Sequence, residues 1–259
     1  MNHKTAGILA TLIAAAMIAG CSEDNSPVQP QPTGPQATVI AATGDITAKV
    51  NEFRALLGDP NNGGQAGQKP NGRREVGWDG AGAKPFNNRN DFPATFFNTN
   101  AKNGIVFTTN GTGFRNDSLL FAEINPTYGQ QFKAFSQPVT FSAIGSNIIN
   151  ALPQVAGEPT PAIVIGFGVV FSDVDRVNKT SLELFDKNGS SLGVYYAPVR
   201  SDANGLSFVG VKYDAVVVAR VKITCGDGAL GAGVNDVTSG GTVDVVVVDN
   251  LFYGEPQAF

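Results

Sequence analysis

Apolar and polar positions along this chain follow two periods. Ile46, Val50, Phe53 and Leu57 recur at helical spacing, Asp45 stands ahead of them as an N-cap and Gly58 offers a stop. The spacing predicts one short amphipathic helix over 46–57. Residues 59–72, opening Asp-Pro-Asn-Asn-Gly-Gly, carry loop signals throughout. From residue 104 the pattern becomes that of strands. Gly104 to Thr109 is rich in β-formers and stops at Asn110-Gly111, and Ala162 to Phe171 reads as one long core strand whose glycines admit a bulky neighbour or a bulge. Leu182 and Leu184 alternate with polar residues, and Asp186-Lys187-Asn188-Gly189 turns the chain into Leu192 to Tyr196. Segments 206–211, 216–224 and 243–253 complete the series. Strands at this spacing with almost no helix between them predict an all-β fold, an antiparallel two-sheet β-sandwich of jelly-roll type with one short N-terminal helix. No repeat of 20–50 residues is visible, which counts against a propeller or solenoid.

The first forty residues follow neither period. Lys4 precedes an apolar run from Ala6 to Ala19, short for a membrane span and suited to a signal peptide. The run ends in Ile18-Ala19-Gly20-Cys21, which resembles a lipobox. The resemblance implies that residues 1–20 are a lipoprotein signal peptide and that Cys21 is lipidated and attached to the membrane. Ser22 to Gln36 is polar and proline-rich, and residues 21–40 are expected to form a lipid-anchored disordered tether. One domain is expected over 41–259. Ser22 is not the aspartate often associated with inner-membrane retention, so the expected location is extracytoplasmic, at the outer membrane of a Gram-negative bacterium.

Composition narrows the chemistry. Loss of the leader removes His3, the sole histidine, and with Lys4 gone the formal charge moves from −4 to −5. A mature chain without histidine has no Ser-His-Asp or Cys-His arrangement and no His-ligated metal. With Cys21 acylated, Cys225 has no disulfide partner, and its place in an alternating apolar segment suits a buried, inert thiol. A mild acidic balance, with Arg73-Arg74 the sole adjacent basic pair, argues against nucleic acid as a partner.

The order Gly166-Phe167-Gly168-Val169-Val170-Phe171-Ser172-Asp173-Val174-Asp175, Ser181 to Asp186, Asn188-Gly189, Phe208 to Val211, Ala219 to Ile223 and Asp244 to Gly254 resembles uncharacterised β-sandwich domains of bacterial surface proteins. Many of those carry a C-terminal PEP-CTERM-type sorting tail, and they are similar to the jelly rolls of carbohydrate-binding modules. This chain ends at Phe259 without such a tail. The resemblance is strongest over 160–254, its motifs are structural, and it implies fold more than activity.

Two segments are candidate sites. Asp173 and Asp175 flank Val174 past a core strand, so their carboxylates point the same way. With Asp249 they are candidate oxygen ligands for a structural Ca²⁺, the alternative being that they cap turns. Arg73 to Gly80 holds the sole tryptophan. In one reading Trp78 stacks on a sugar ring while Arg74, Glu75 and Asp79 bond to its hydroxyls; in the other, the favoured one, Trp78 fills the core edge beside paired charges. Phe86, Phe92, Phe96 and Phe97 form either a binding loop or, as the composition favours, a plug under a long loop. Carboxylates for glycoside hydrolysis exist (Glu75, Asp79, Glu123, Glu183), as do Tyr128, Tyr195 and Tyr196 for lyase chemistry, and nothing singles them out. The expectation is a lipid-anchored extracytoplasmic module that binds polysaccharide or another surface glycan without catalysis. The alternatives are a structural or adhesive cell-surface protein with protein partners, and a glycan-cleaving enzyme.

Overall fold

The computed structural model describes Met1 and residues 34–259 apart from 137, 201 and 203. The leader, Cys21 and most of the expected tether lie outside the described residues. In chain order the strands and helices are β1 (Ala37–Thr43), α1 (Thr47–Leu57), β2 (Arg73–Val76), α2 (Phe96–Thr99), β3 (Ile105–Thr108), β4 (Gly113–Asp117), α3 (Tyr128–Gln131), β5 (Thr140–Ile144), β6 (Ile148–Pro153), β7 (Ala162–Ile163), β8 (Gly166–Ser172), β9 (Ser181–Phe185), β10 (Ser191–Tyr196), β11 (Leu206–Tyr213), β12 (Arg220–Thr224), β13 (Val247–Gly254) and β14 (Gln257–Ala258). Strand β1 pairs along its whole length with β11, so the folded unit begins before the expected start at residue 41.

The result is an antiparallel two-sheet sandwich of jelly-roll type. One sheet runs β1-β11-β8-β13-β5-β4, with β2 also on β13, and the other runs β10-β9-β12-β6-β3. The chain switches sheet between β8 and β9, between β10 and β11, and again on either side of β12. Inward residues of both sheets share one core: Phe167, Val169 and Phe171 from β8 meet Leu182, Leu184, Val221 and Ile223 from the facing sheet. The alternation in β9 and β12 is the signature of a sheet with one covered face, whereas β8 and β13 are buried along their whole length.

Double burial of β8 is explained by α1. Val50, Phe53 and Leu57 pack on the outer face of the first sheet, against Ile40, Val170, Phe208 and Phe252. Gly168 and Gly210 are cross-strand partners, and the Phe53 ring lies on both. A Cβ at Gly168 would stand 2.6 Å from Phe53 Cε1, and one at Gly210 2.7 Å from Phe53 Cδ2. The glycines thus admit a bulky neighbour. The Asp45 carboxylate accepts the Thr47 N–H at 3.1 Å, and the Gly58 N–H closes the helix on the Arg54 carbonyl.

The segment 162–171 is not one strand. Ala162 and Ile163 pair with β14, Val164 bridges to Val218, and only from Gly166 does the chain join β11 and β13. A continuous apolar run does not record a change of pairing partner. Strands β1, β2, β4, β5, β6 and β14 add to those expected.

Candidate metal site

Beyond Ser172 the chain leaves β8 through Asp173 in a left-handed conformation, φ 70°, which aspartate tolerates better than most residues. The Asp173 N–H is held by the Gly205 carbonyl at 3.0 Å. Val174 is fully buried in the sandwich core, so the residues on either side of it are fixed in place. Asp173, Asp175 and Asp236 each bring a carboxylate oxygen within 4.8 Å of the others.

Asp236 arrives from the long excursion between β12 and β13. Its Oδ1 accepts the N–H and hydroxyl of Thr238, both at 2.8 Å, and its Oδ2 accepts the Val245 N–H at 2.8 Å. Asp244 buttresses the opposite side by accepting the N–H groups of Asp175 and Arg176. Its own N–H goes to Asp227, whose second oxygen meets Arg176. Asp173 and Asp175 differ from these supports. All four of their carboxylate oxygens are buried and accept no hydrogen bond from the described residues.

Electrostatics follow from that enclosure. Burial, and then the charge of Asp175, push the Asp173 carboxyl up to about 8. Burial, and then the neighbouring Asp236, push Asp175 up to about 7, and burial raises Asp244 to about 6. Three acidic groups gathered out of water are unfavourable as free anions, and a proton or a cation relieves them. The donor set, hard oxygens alone, fits a divalent cation such as Ca²⁺. This acidic triad can hold a metal ion.

Asp249, expected as a third ligand, lies outside the group. Its carboxylate accepts the N–H groups of Phe135 and Ser136 and the Ser136 hydroxyl, and burial raises it to about 7. Its position on β13 directs it to the 135–136 loop. The triad is completed by Asp236 instead. An aspartate two residues before threonine in a Gly/Asn-rich stretch signals a local cap; its approach to Asp173 is a tertiary event.

The Arg73–Gly80 segment takes its structural reading, which corrects the sugar-stacking one. Trp78 is 0% exposed, stacks on Phe141 at 3.8 Å and 3°, meets Phe92 and Phe97 edge-on, and donates its N–H to the Asp249 carbonyl. No face is left for a sugar. Arg74 is equally buried, paired with Glu255 through two bonds of 2.7 and 2.8 Å. Glu75 is engaged by Arg54 and Arg73, while Asp79 accepts the Val139 N–H and shares the one Ser136 hydroxyl hydrogen with Asp249. Phe92, Phe96 and Phe97 are buried under the loop as a plug. Beside them runs a cleft of about 560 Å³ lined by Gly64, Glu75, Gly77, Phe96, Asn100 and Asn103, among others.

The fold and the site define a β-sandwich with a buried carboxylate cluster. No family model matches the chain, and no curated protein matches it. Among solved structures, the enzymatically active domain of bacteriophage CBA120 tailspike protein 4 is similar over 66% of this chain and 22% of that one, at 11% identity and a TM-score of 0.24. At that level nothing about function transfers. Among the described residues, no helix is long and apolar enough to cross a membrane.

Proposed function

We propose that this protein is a lipid-anchored, extracytoplasmic binding module that holds a calcium ion at Asp173, Asp175 and Asp236 and recognises a surface glycan without cleaving it. One observation carries the ion: four carboxylate oxygens buried at the end of a core strand with no donor from the described protein. Buried polar atoms are otherwise nearly always paired, and an exception calls for a reason. Calcium accepts six to eight oxygen ligands in flexible geometry, whereas Mg²⁺ demands near-ideal octahedra and keeps several waters. Bound here, the ion would tie the turn after β8 to the excursion that carries Asp236.

Membrane attachment is supported by the Ile18-to-Cys21 motif and by a folded unit whose first strand starts soon after the polar segment. The glycan reading is supported by the cleft beside Glu75, where a Phe edge, glycine backbone and the amides of Asn100 and Asn103 supply the mixture of apolar surface and hydrogen-bonding groups that a sugar uses.

The test is a thermal melt of the protein in EDTA, in CaCl₂, and in CaCl₂ with a panel of polysaccharides. An ion at 100 times its Kd adds about 2.7 kcal/mol, which for a folded unit of this size raises the midpoint by about 5–10 °C. A further rise with one glycan supports the binding module. An unchanged midpoint with calcium contradicts the ion, and one unmoved by every glycan shifts the function towards protein partners.

A further inference from the structure

We infer that β1 is an assembly edge: two copies of this chain join through their β1 strands, antiparallel about a two-fold axis, and so continue the first sheet from one copy into the next. Neither the ion nor a glycan enters into this contact.

The end strands of a sheet carry backbone N–H and C=O groups without ladder partners, and folded proteins cover, bulge or charge such edges. The sandwich does so elsewhere. At β4 the Asn116 and Phe114 carbonyls accept the N–H groups of Asn88 and Phe92 at 2.9 and 3.0 Å, and at β3 the Phe107 N–H reaches the Ala94 carbonyl at 2.9 Å. Short β2 is bordered by residues 60–62, with the Arg73 N–H on the Pro60 carbonyl and the Asn62 N–H on the Arg73 carbonyl. Edge strand β10 is interrupted by a register shift between Ser191 and Gly193. Strand β1 has none of these protections. It runs in unbroken register against β11 from Ala37 to Thr43, and Gly34 to Gly44 holds no charged residue.

Which groups are free follows from the ladder. The Gly44 N–H bonds to the Leu206 carbonyl, and the Asp214 N–H to the Gln36 carbonyl. Hydrogen-bonded pairs alternate along an antiparallel ladder. The even-numbered residues of β1 therefore bond to β11, and the backbone groups of Ala37, Val39, Ala41 and Thr43 face outward. No described residue outside the ladder bonds to them. Their side chains are exposed too, and Val39 is 47% exposed. Ile40, on the other face, is buried beneath α1.

The occupant follows from the sequence in and around the strand. The chain just ahead of it carries Pro27, Pro30, Pro32 and Pro35. Proline donates no ladder bond, so that segment is unsuited to cover the edge. A second β1 suits it. With Ile40 facing Ile40 of the second copy, Ala37 pairs with Thr43 and Val39 with Ala41, in both directions, and every outward N–H and carbonyl of both strands finds a partner. Sliding either strand by two residues leaves Ala37 or Thr43 without a strand partner. Like charges opposite one another destabilise such pairs, and β1 brings none. A contact of this kind uses the same patch on both copies and closes at two.

The test is sedimentation equilibrium of the full chain in a detergent matched to the buffer in density. It compares wild type with Val39→Lys/Ala41→Lys, Val39→Lys/Ala41→Glu and Ala41→Pro. Wild type is expected to show a reversible monomer–dimer equilibrium. The lysine pair sets like charges opposite each other across the axis and should weaken the dimer roughly tenfold, whereas lysine with glutamate sets opposite charges there and should restore it. That variant also shows that charge at these positions leaves β1 folded. Ala41→Pro removes an N–H that β11 does not use and should give a folded monomer with a cooperative melt. A wild type that stays monomeric at its highest soluble concentration overturns the inference and leaves the edge to a strand of another protein. A dimer untouched by both the lysine pair and the proline overturns its placement at β1, and failure of the lysine–glutamate variant to restore it overturns the register.

Discussion

The seat of Phe53 gives the sharpest test of how α1 is fixed to the sandwich. Gly168→Ala would place a methyl carbon 2.6 Å from Phe53 Cε1 and 3.1 Å from Phe208 Cζ. Gly210→Ala would meet Phe53 at 2.7 and 2.8 Å and Phe208 at 2.9 Å. Carbon atoms pack best at about 3.5–4.0 Å, so each methyl overlaps its neighbours by close to an ångström. Phe53 cannot swing aside easily, because it is fully buried and packed edge-on to Phe208 with ring centroids 5.5 Å apart. Overpacking of this kind costs about 1–3 kcal/mol, and about 2–4 °C per kcal/mol for a folded unit of this size gives a midpoint lowered by roughly 2–12 °C. The assay is a thermal melt of four proteins: wild type, Gly168→Ala, Phe53→Leu, and the double variant. In the double variant the methyl has room, so the two effects should fail to add by more than about 0.5 kcal/mol. Strict additivity, or a Gly168→Ala midpoint equal to wild type, would refute this packing.

Other expectations follow from the buried charges and the thiol. In EDTA, stability should fall as pH rises from about 4 to about 8. Asp244 is raised to about 6, Asp175 and Asp249 to about 7 and Asp173 to about 8, mainly by burial, so the folded state binds more protons than the unfolded chain through that window and loses the advantage as they leave. Calcium should flatten the decline, and melts in EDTA that instead gain stability steadily from about pH 5 to 8 would contradict the burial of these groups. Glu255→Gln leaves Arg74 buried beside a neutral partner and should cost about 3–5 kcal/mol, read as a lower denaturant midpoint at unchanged m-value. Cys225, with its thiol pushed up to about 12 by burial, should resist maleimide in the native protein and react in denaturant, as peptide mapping by mass spectrometry would show.

The parts of the molecule readable from sequence are those governed by local period. The helix ending at Leu57 follows from four apolar residues at helical spacing, and the 186–189 turn from the way Asp186 accepts the N–H groups of Asn188 and Ser190. Alternation also places Asp173 and Asp175 on one side of Val174, and the structure brings them together. Asp236 was not legible, because it reaches the cluster through the path of a distant segment rather than through any spacing to Asp173. Asp249 shows the converse: it is an aspartate on a neighbouring strand of the same sheet, but its side chain is directed to the 135–136 loop. Residue type left Trp78 open to a binding reading, with the core edge as the favoured alternative; the partners that enclose it, Phe92, Phe97 and Phe141, depend on α2 and β5, which the alternating pattern did not reveal.

Calorimetric titration of Ca²⁺ into the chelator-stripped protein tests the ion site most directly, with the Asp173→Asn/Asp175→Asn double variant alongside. The expected result is one ion per wild-type chain and none for the variant, with the variant's melt in EDTA showing that it is folded. No binding by wild type, or equal binding by the folded variant, would contradict the assignment of the site to Asp173, Asp175 and Asp236.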